Sequence, residues 1–299
     1  SILSGEGDTK FPMYVMAIGT IINVILDPIL IFTFEMGISG AAAATIFSQI
    51  IVCLIFLYSF LIKKYPYTTF DLKHFKYDNT ILISIFELGL PASFSMVLMS
   101  FGSGIFNKIL VDFSPDIVSA YQIASRIDNL FFMPVISIVS AMVTLVGMFY
   151  GAKKINLVYH IIHYGLKQTI IISTVVGLIF YFYSIYIFPV FTNSQEIISY
   201  GVEYMKIAVF SYPFIAIGMT SSRVMQGLGY GMPMLLLTMM RVILISVPLS
   251  LYFIHIYNKS HVYVWYAMLI ASFITSIIAY PWMRINLLKR LNELKSSQS

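Results

Sequence analysis

Charge is what this chain has least of. Only 10% of its 299 residues are Asp, Glu, Lys or Arg, while 59% are hydrophobic and the mean hydropathy is +0.87. So few charges cannot cover the surface of one or two soluble domains, and that class is excluded. Cysteine is almost absent too. The single Cys53 rules out a disulfide framework and, lying in an apolar run, offers no metal-site spacing. Catalytic signatures are missing: there is no His-Glu-x-x-His, no Gly-x-Ser-x-Gly and no Gly-rich phosphate loop with Lys, so the chain is read as not an enzyme. The basic excess behind the formal net charge of +5 is scattered between apolar runs rather than gathered on one polar face, which excludes nucleic acid as a partner. Residues Ser1 to Lys10 lack an initiator Met and the basic-then-apolar order of a signal peptide, so the start reads as the interior of a longer protein with further spans upstream.

What the chain does have is apolar length. Runs near 12–34, 38–62, 80–111, 117–150, 157–190, 196–228, 233–256 and 262–287 each reach the roughly 20 residues a helix needs to cross a bilayer. The expected fold class is all-α, a polytopic membrane protein with eight transmembrane helices. Several runs exceed that length, which calls for tilt or bending. Pro28, Pro91, Pro134, Pro213, Pro248 and Pro281 fall inside six of them, and each removes a backbone hydrogen bond that packing must replace. The loops alternate in charge. Lys63, Lys64, Lys73, Lys76, Lys153, Lys154, Arg284, Lys289, Arg290 and Lys295 fall on one side, Glu35, Asp112, Asp116 and Glu196 on the other. The positive-inside rule puts the basic set and both ends of this chain in the cytoplasm, for a multi-pass protein of the cell membrane.

Residues 65–79 form the longest polar connection and mark the domain boundary. Phe70, Leu72, Phe75 and Tyr77 among Lys73, His74 and Lys76 fit a short interfacial helix on the inner leaflet, and a solvated linker fits equally well. The division is two helices over 1–64, the linker over 65–79, six helices over 80–290 and a cytoplasmic tail over 291–299. Gly5-Glu6-Gly7 ahead of Pro12-Met13 matches Gly227-Leu228-Gly229 ahead of Pro233-Met234, the kind of paired turn that a duplicated transporter fold leaves behind.

Polar residues inside the spans are the candidates for function. Asp27 stands in the middle of Gly19–Phe32, where a carboxylate costs roughly 2.5–3.5 kcal/mol on insertion scales and as a rule faces a cavity or an ion path. Asn23 shares its helix face one turn earlier. Pro28 frees a backbone carbonyl one turn back, a common way to build a cation site in a membrane helix. Glu87 lies about two turns into its span, near enough to the interface to be hydrated. Gln122, Arg126 and Asn129 form one polar stripe, and Asp128 faces another side of the same helix. Arg126 fits either a cavity wall or a structural pair with an acid on a neighbouring span. Arg241, two turns into the seventh span, fits a clamp at an inner gate. Glu203 and Lys206, three apart, fit an intrahelical pair.

Several stretches carry a family resemblance. Gly5-Glu6-Gly7-Asp8-Thr9-Lys10-Phe11-Pro12-Met13, then Asn23-x-x-x-Asp27-Pro28 and Gly40-Ala41-Ala42-Ala43-Ala44-Thr45, resemble the fifth and sixth helices of the multidrug and toxic compound extrusion family. Gly89-Leu90-Pro91-Ala92 resembles the opening of its seventh helix. Ala120-Tyr121-Gln122-Ile123-Ala124-Ser125-Arg126-Ile127 with Met133-Pro134 resembles the eighth, and Tyr150-Gly151-Ala152 the turn after it. The resemblance implies twelve helices in two six-helix lobes. This chain would hold the last two helices of the N-lobe and a complete six-helix C-lobe, with the four missing N-terminal helices as its partner. It also implies that Asn23, Asp27 and Thr45 form the cation site of the branch that couples through the N-lobe. Another branch uses acids at positions that match Met99 and Ile215, which carry none here.

The function so implied is a secondary antiporter that exports amphipathic or cationic drugs and toxic compounds in exchange for H+ or Na+. Its partners would be small amphipathic substrates and membrane lipids, with no cofactor beyond the coupling ion. The alternative is a flippase for lipid-linked oligosaccharide or polysaccharide precursors, which would show more cationic residues along its cavity than Arg126 and Arg241. An ion channel would need a filter or a ring of like charges, and an intramembrane enzyme a catalytic pair on facing helices; neither is visible.

Overall fold

A computed structural model describes residues 2–62, 77–256 and 260–296. The interfacial helix or linker expected at 65–79 lies outside the described residues except for its last three positions. Among the described residues the chain is helical with no strands, and eight helices are long and apolar enough to cross a membrane. They are α1 (Lys10–Thr33), α2 (Gly37–Leu61), α3 (Asn79–Val111), α4 (Pro115–Gly151), α5 (Ile155–Val190), α6 (Gln195–Gly227), α7 (Met232–His255) and α8 (Val262–Ser296). Contacts divide the chain into two compact units, Ser1–Asp78 and Asn79–Ser299.

The first unit is the α1–α2 hairpin. Asp8 opens it, its carboxylate accepting the Lys10 and Phe11 backbone N–H groups at 3.0 and 3.2 Å, an arrangement that satisfies two of the orphan donors at a helix start. The α-helical part of α1 runs through Pro28 and continues as a π-turn over Ile29–Thr33. Pro28 has no N–H, so the Val24 carbonyl loses its partner. The next turn widens, and the Phe34 N–H donates to the Ile29 carbonyl at 3.0 Å. Gly40 lets α2 come against the backbone of that turn: a Cβ there would stand 2.6 Å from the Leu30 carbonyl oxygen. Gly19 packs on Val52 in the same way further along the hairpin.

The second unit is a six-helix bundle whose most buried member is α8. Val264, Trp265, Ala267, Ala271, Ala279, Met283, Leu287 and Leu291 are all buried, and most recur at helical spacing. The last two explain why α8 continues to Ser296 although the apolar run was expected to end at 287: an apolar seam, not lipid, carries the helix onward. Two hydrophobic clusters hold the ends of the bundle. One gathers Phe106, Leu110, Ile117, Tyr121, Phe180, Phe188, Tyr204, Tyr212 and Trp265; the other gathers Met142, Val146, Val158, Val224, Met225 and Leu287. Polar groups between α5 and α6 are paired, as in the buried Thr169–Thr220 hydroxyl contact at 3.0 Å.

Proline marks where spans bend. Pro213 follows a 3-10 turn, Val209–Ser211, inside α6, and Pro248 follows a π-turn, Met240–Ser246, inside α7. Large apolar side chains such as Phe101, Phe182 and Tyr186 stay exposed on the outside. Hiding one from water is worth about 1.5–3 kcal/mol, and here the bilayer does so. The pair expected between Glu203 and Lys206 does not form. Glu203 instead meets His261, just ahead of α8, at 2.9 Å, and Lys206 has no partner among the described residues.

Candidate functional site

Among the described residues, two carboxylates in the membrane-spanning helices are held by amide or phenol groups. The first is Asp27, on the last α-helical turn of α1 before the π-turn. It is half-buried, and the Asn23 amide donates to its Oδ1 at 3.4 Å, a long bond. No basic side chain pairs with it among the described residues. The helical spacing that put Asn23 and Asp27 on one face therefore brings them together. Thr45 is not joined to them. Its side chain is exposed on α2, and its hydroxyl donates to the Ala41 carbonyl one turn back at 2.9 Å, which leaves the oxygen free to accept.

The second carboxylate is Asp128 on α4, and it stands in a cavity of about 390 Å³ inside the six-helix unit. Tyr204 donates to one oxygen at 2.8 Å and Tyr212 to the other at 2.5 Å. These two tyrosines flank the 3-10 turn of α6, so one carboxylate ties α4 to both arms of a bent helix. The ring of Tyr204 sits edge-on to Trp265 with centroids 4.9 Å apart, and Tyr121 stacks on Trp265 at 5.6 Å. Phe132 packs edge-on against Tyr212 at 5.0 Å. The π-turn of α7 also lines the cavity, contributing Arg241, Val242 and Ser246. A π-turn adds a residue to the helix and re-aims the side chains around it, which is why such turns recur at working sites.

Arg241 lines this cavity, and no acid pairs with it among the described residues. Gln122, Arg126 and Glu87 do not line the cavity. Gln122 donates to Asn107 at 2.9 Å and ties α4 to α3. Arg126 is exposed, and among the described residues it has no acid partner. Glu87 is exposed as well, and its backbone carbonyl, not its carboxylate, abuts Gly231 at the start of α7. Of the polar stripe on α4, only Asn129 reaches the cavity. Met99 and Ile215 both line it, so the acid-free positions of the resemblance surround the same space that Asp128 supplies with a charge.

Tyr204, Trp265 and Ser246, which line the cavity, and Tyr212, which holds Asp128, are residues that sequence reasoning did not single out. With 21 Tyr and 24 Phe in the chain, aromatic residues are too common for any one to stand out. The usable signal was Pro213, which marks a bend with a tyrosine on each side of it.

A model of the MatE family matches residues 91–252. The chain is 25% identical over 289 residues to the probable multidrug resistance protein YoeA of Bacillus subtilis, which covers 94% of this chain and 62% of the relative. It is 26% identical over 273 residues to the probable multidrug resistance protein NorM of Thermotoga maritima, covering 90% of this chain and 58% of that one. A solved transporter of the MOP superfamily from Pyrococcus furiosus superposes with a TM-score of 0.92 at 27% identity, over 98% of this chain and 65% of that chain. The chain thus spans less than two thirds of the length of these relatives. The family match over more than half of the chain and the superposition of all eight spans lead to one conclusion: this multi-pass membrane protein belongs to the MatE family.

Proposed function

We propose that the protein exports amphipathic or cationic small molecules across the cell membrane in exchange for H+ or Na+, with Asp27 as the carboxylate that carries the coupling cation. One observation carries this reading. A half-buried acid in an apolar helix is held by a single neutral amide, at 3.4 Å, with no basic partner among the described residues. A charge in that position is costly unless a cation visits it. Asn23 and the oxygen of Thr45 serve as its neutral helpers, and the carbonyl released by Pro28 supplies a further oxygen. Neutralising Asp27 removes the buried charge and lets the π-turn repack, which biases the protein between two states. The basic loops face the cytoplasm.

The names of the relatives, multidrug resistance and multidrug export proteins, support the substrate class. The flippase alternative finds no support among them. Efflux of a cationic dye from vesicles carrying the complete protein tests the proposal. Asp27→Asn is expected to reduce gradient-driven efflux to background, and efflux at the unmutated rate would end it.

A further inference from the structure

We infer that the cavity within the six-helix unit is a binding site for a small zwitterion, its ammonium at Asp128 and its anionic end at Arg241. The two charged residues line one cavity yet form no ion pair with each other among the described residues. The reason is on the α6 side: Tyr204 and Tyr212 hold the Asp128 carboxylate by one phenol on each oxygen. A carboxylate offers about four lone-pair sites, so the clamp leaves roughly two for a ligand. Arg241 carries five N–H donors on the π-turn of α7, and none has a hydrogen-bond partner among the described residues.

A buried charge that no side chain answers is costly, and the same wall holds a second unmet group. Ser246, on the same π-turn, is 3% exposed, lines the cavity and has a hydroxyl with no partner among the described residues. The π-turn thus presents donors and a positive charge to the cavity, and α4 a negative charge, with the aromatic rings of Tyr204 and Trp265 in the same lining. Those rings favour an ammonium and an apolar body.

The charge balance selects the ligand class. Asp128 and Arg241 sum to zero within the cavity. A monocation bound at Asp128 leaves Arg241 unanswered, and a monoanion meets the converse. A molecule with both charges answers both residues. The volume of about 390 Å³ lies at the small end of ligand pockets, which suits a compact molecule of aromatic amino-acid size.

The inference names a substrate class within the transport reading, but equilibrium binding needs no ion gradient and does not involve Asp27. It therefore stands or fails separately. The experiment is equilibrium binding of three radiolabelled probes to the complete protein in lipid nanodiscs: phenylalanine, its amide (cation only) and its N-acetyl derivative (anion only). The unmutated protein is expected to bind phenylalanine at least tenfold more tightly than either analogue. Arg241→Gln should invert the first preference, so that the amide outcompetes phenylalanine, and Asp128→Asn should favour the N-acetyl form. Because each variant is expected to gain one probe as it loses another, a variant that merely misfolds is told apart, and Arg241→Gln decides if Asp128→Asn does not fold. Equal binding of phenylalanine and its amide, no change of preference in Arg241→Gln, or no binding of any probe to the unmutated protein overturns the inference.

Discussion

Asp27 and Asp128 are both acids in apolar helices, yet their surroundings differ in kind. Asp27 ends the regular part of α1, half-buried, with one amide at 3.4 Å. Asp128 holds two phenols at 2.8 and 2.5 Å from both sides of a helix bend. The loosely held acid can exchange its partner for a travelling cation at little structural cost. The clamped acid cannot change partners without loosening α4 from α6. On the proposed reading, weak neutral contacts leave Asp27 free for turnover, whereas the two phenols fix Asp128 in its cavity.

The contrast can be broken by substitution. The largest effect belongs to Asp27→Asn, which should abolish gradient-driven efflux while the melting temperature stays within the small range of substitutions that break no strong contact. A large loss of stability in that variant would mean that Asp27 is structural, like Asp128. Next comes Asp128→Ala, which strands two phenols in the core. Hydrogen bonds to a charged group are worth about 1.5–3 kcal/mol each, and relief from burying the charge offsets part of their sum. A net loss of about 2–4 kcal/mol in denaturant unfolding is expected. Tyr212→Phe removes one arm of the clamp for about 1.5–3 kcal/mol. In a double-mutant cycle it should couple to Asp128→Asn, and simple additivity would show that the short contact contributes nothing. Asn23→Ala breaks only a long bond and should change stability by less than about 0.5 kcal/mol, yet weaken cation binding several-fold. Thr45→Val should have the smallest effect on stability, because its hydroxyl bonds to its own helix.

Much of this was legible in the sequence, and the parts that were not share a cause. Spans announce themselves by length and hydropathy, and the Asn23–Asp27 pairing follows from spacing along a single helix. Contacts within one helix can be read from one-dimensional order. Contacts between helices cannot. Glu203 and Lys206 have the spacing of a pair, but His261, 58 residues further on, competes and takes Glu203. Arg241 lies near the start of its run, and only the π-turn of α7 reveals that it faces a cavity. Thr45 is grouped with Asp27 only by the family resemblance, and its hydroxyl bonds to its own helix. The end of α8 was misjudged because Leu287 and Leu291 pack on other helices, which hydropathy alone does not register.

The central claim is that a cation bound at Asp27 controls substrate binding. Titrating H+ or Na+ against the affinity for a cationic dye, in the unmutated protein and in Asp27→Asn, tests it most directly. The account requires the cation to weaken dye binding in the unmutated protein and to have no effect once Asp27 is replaced. A cation-dependent shift of equal size in Asp27→Asn would contradict it.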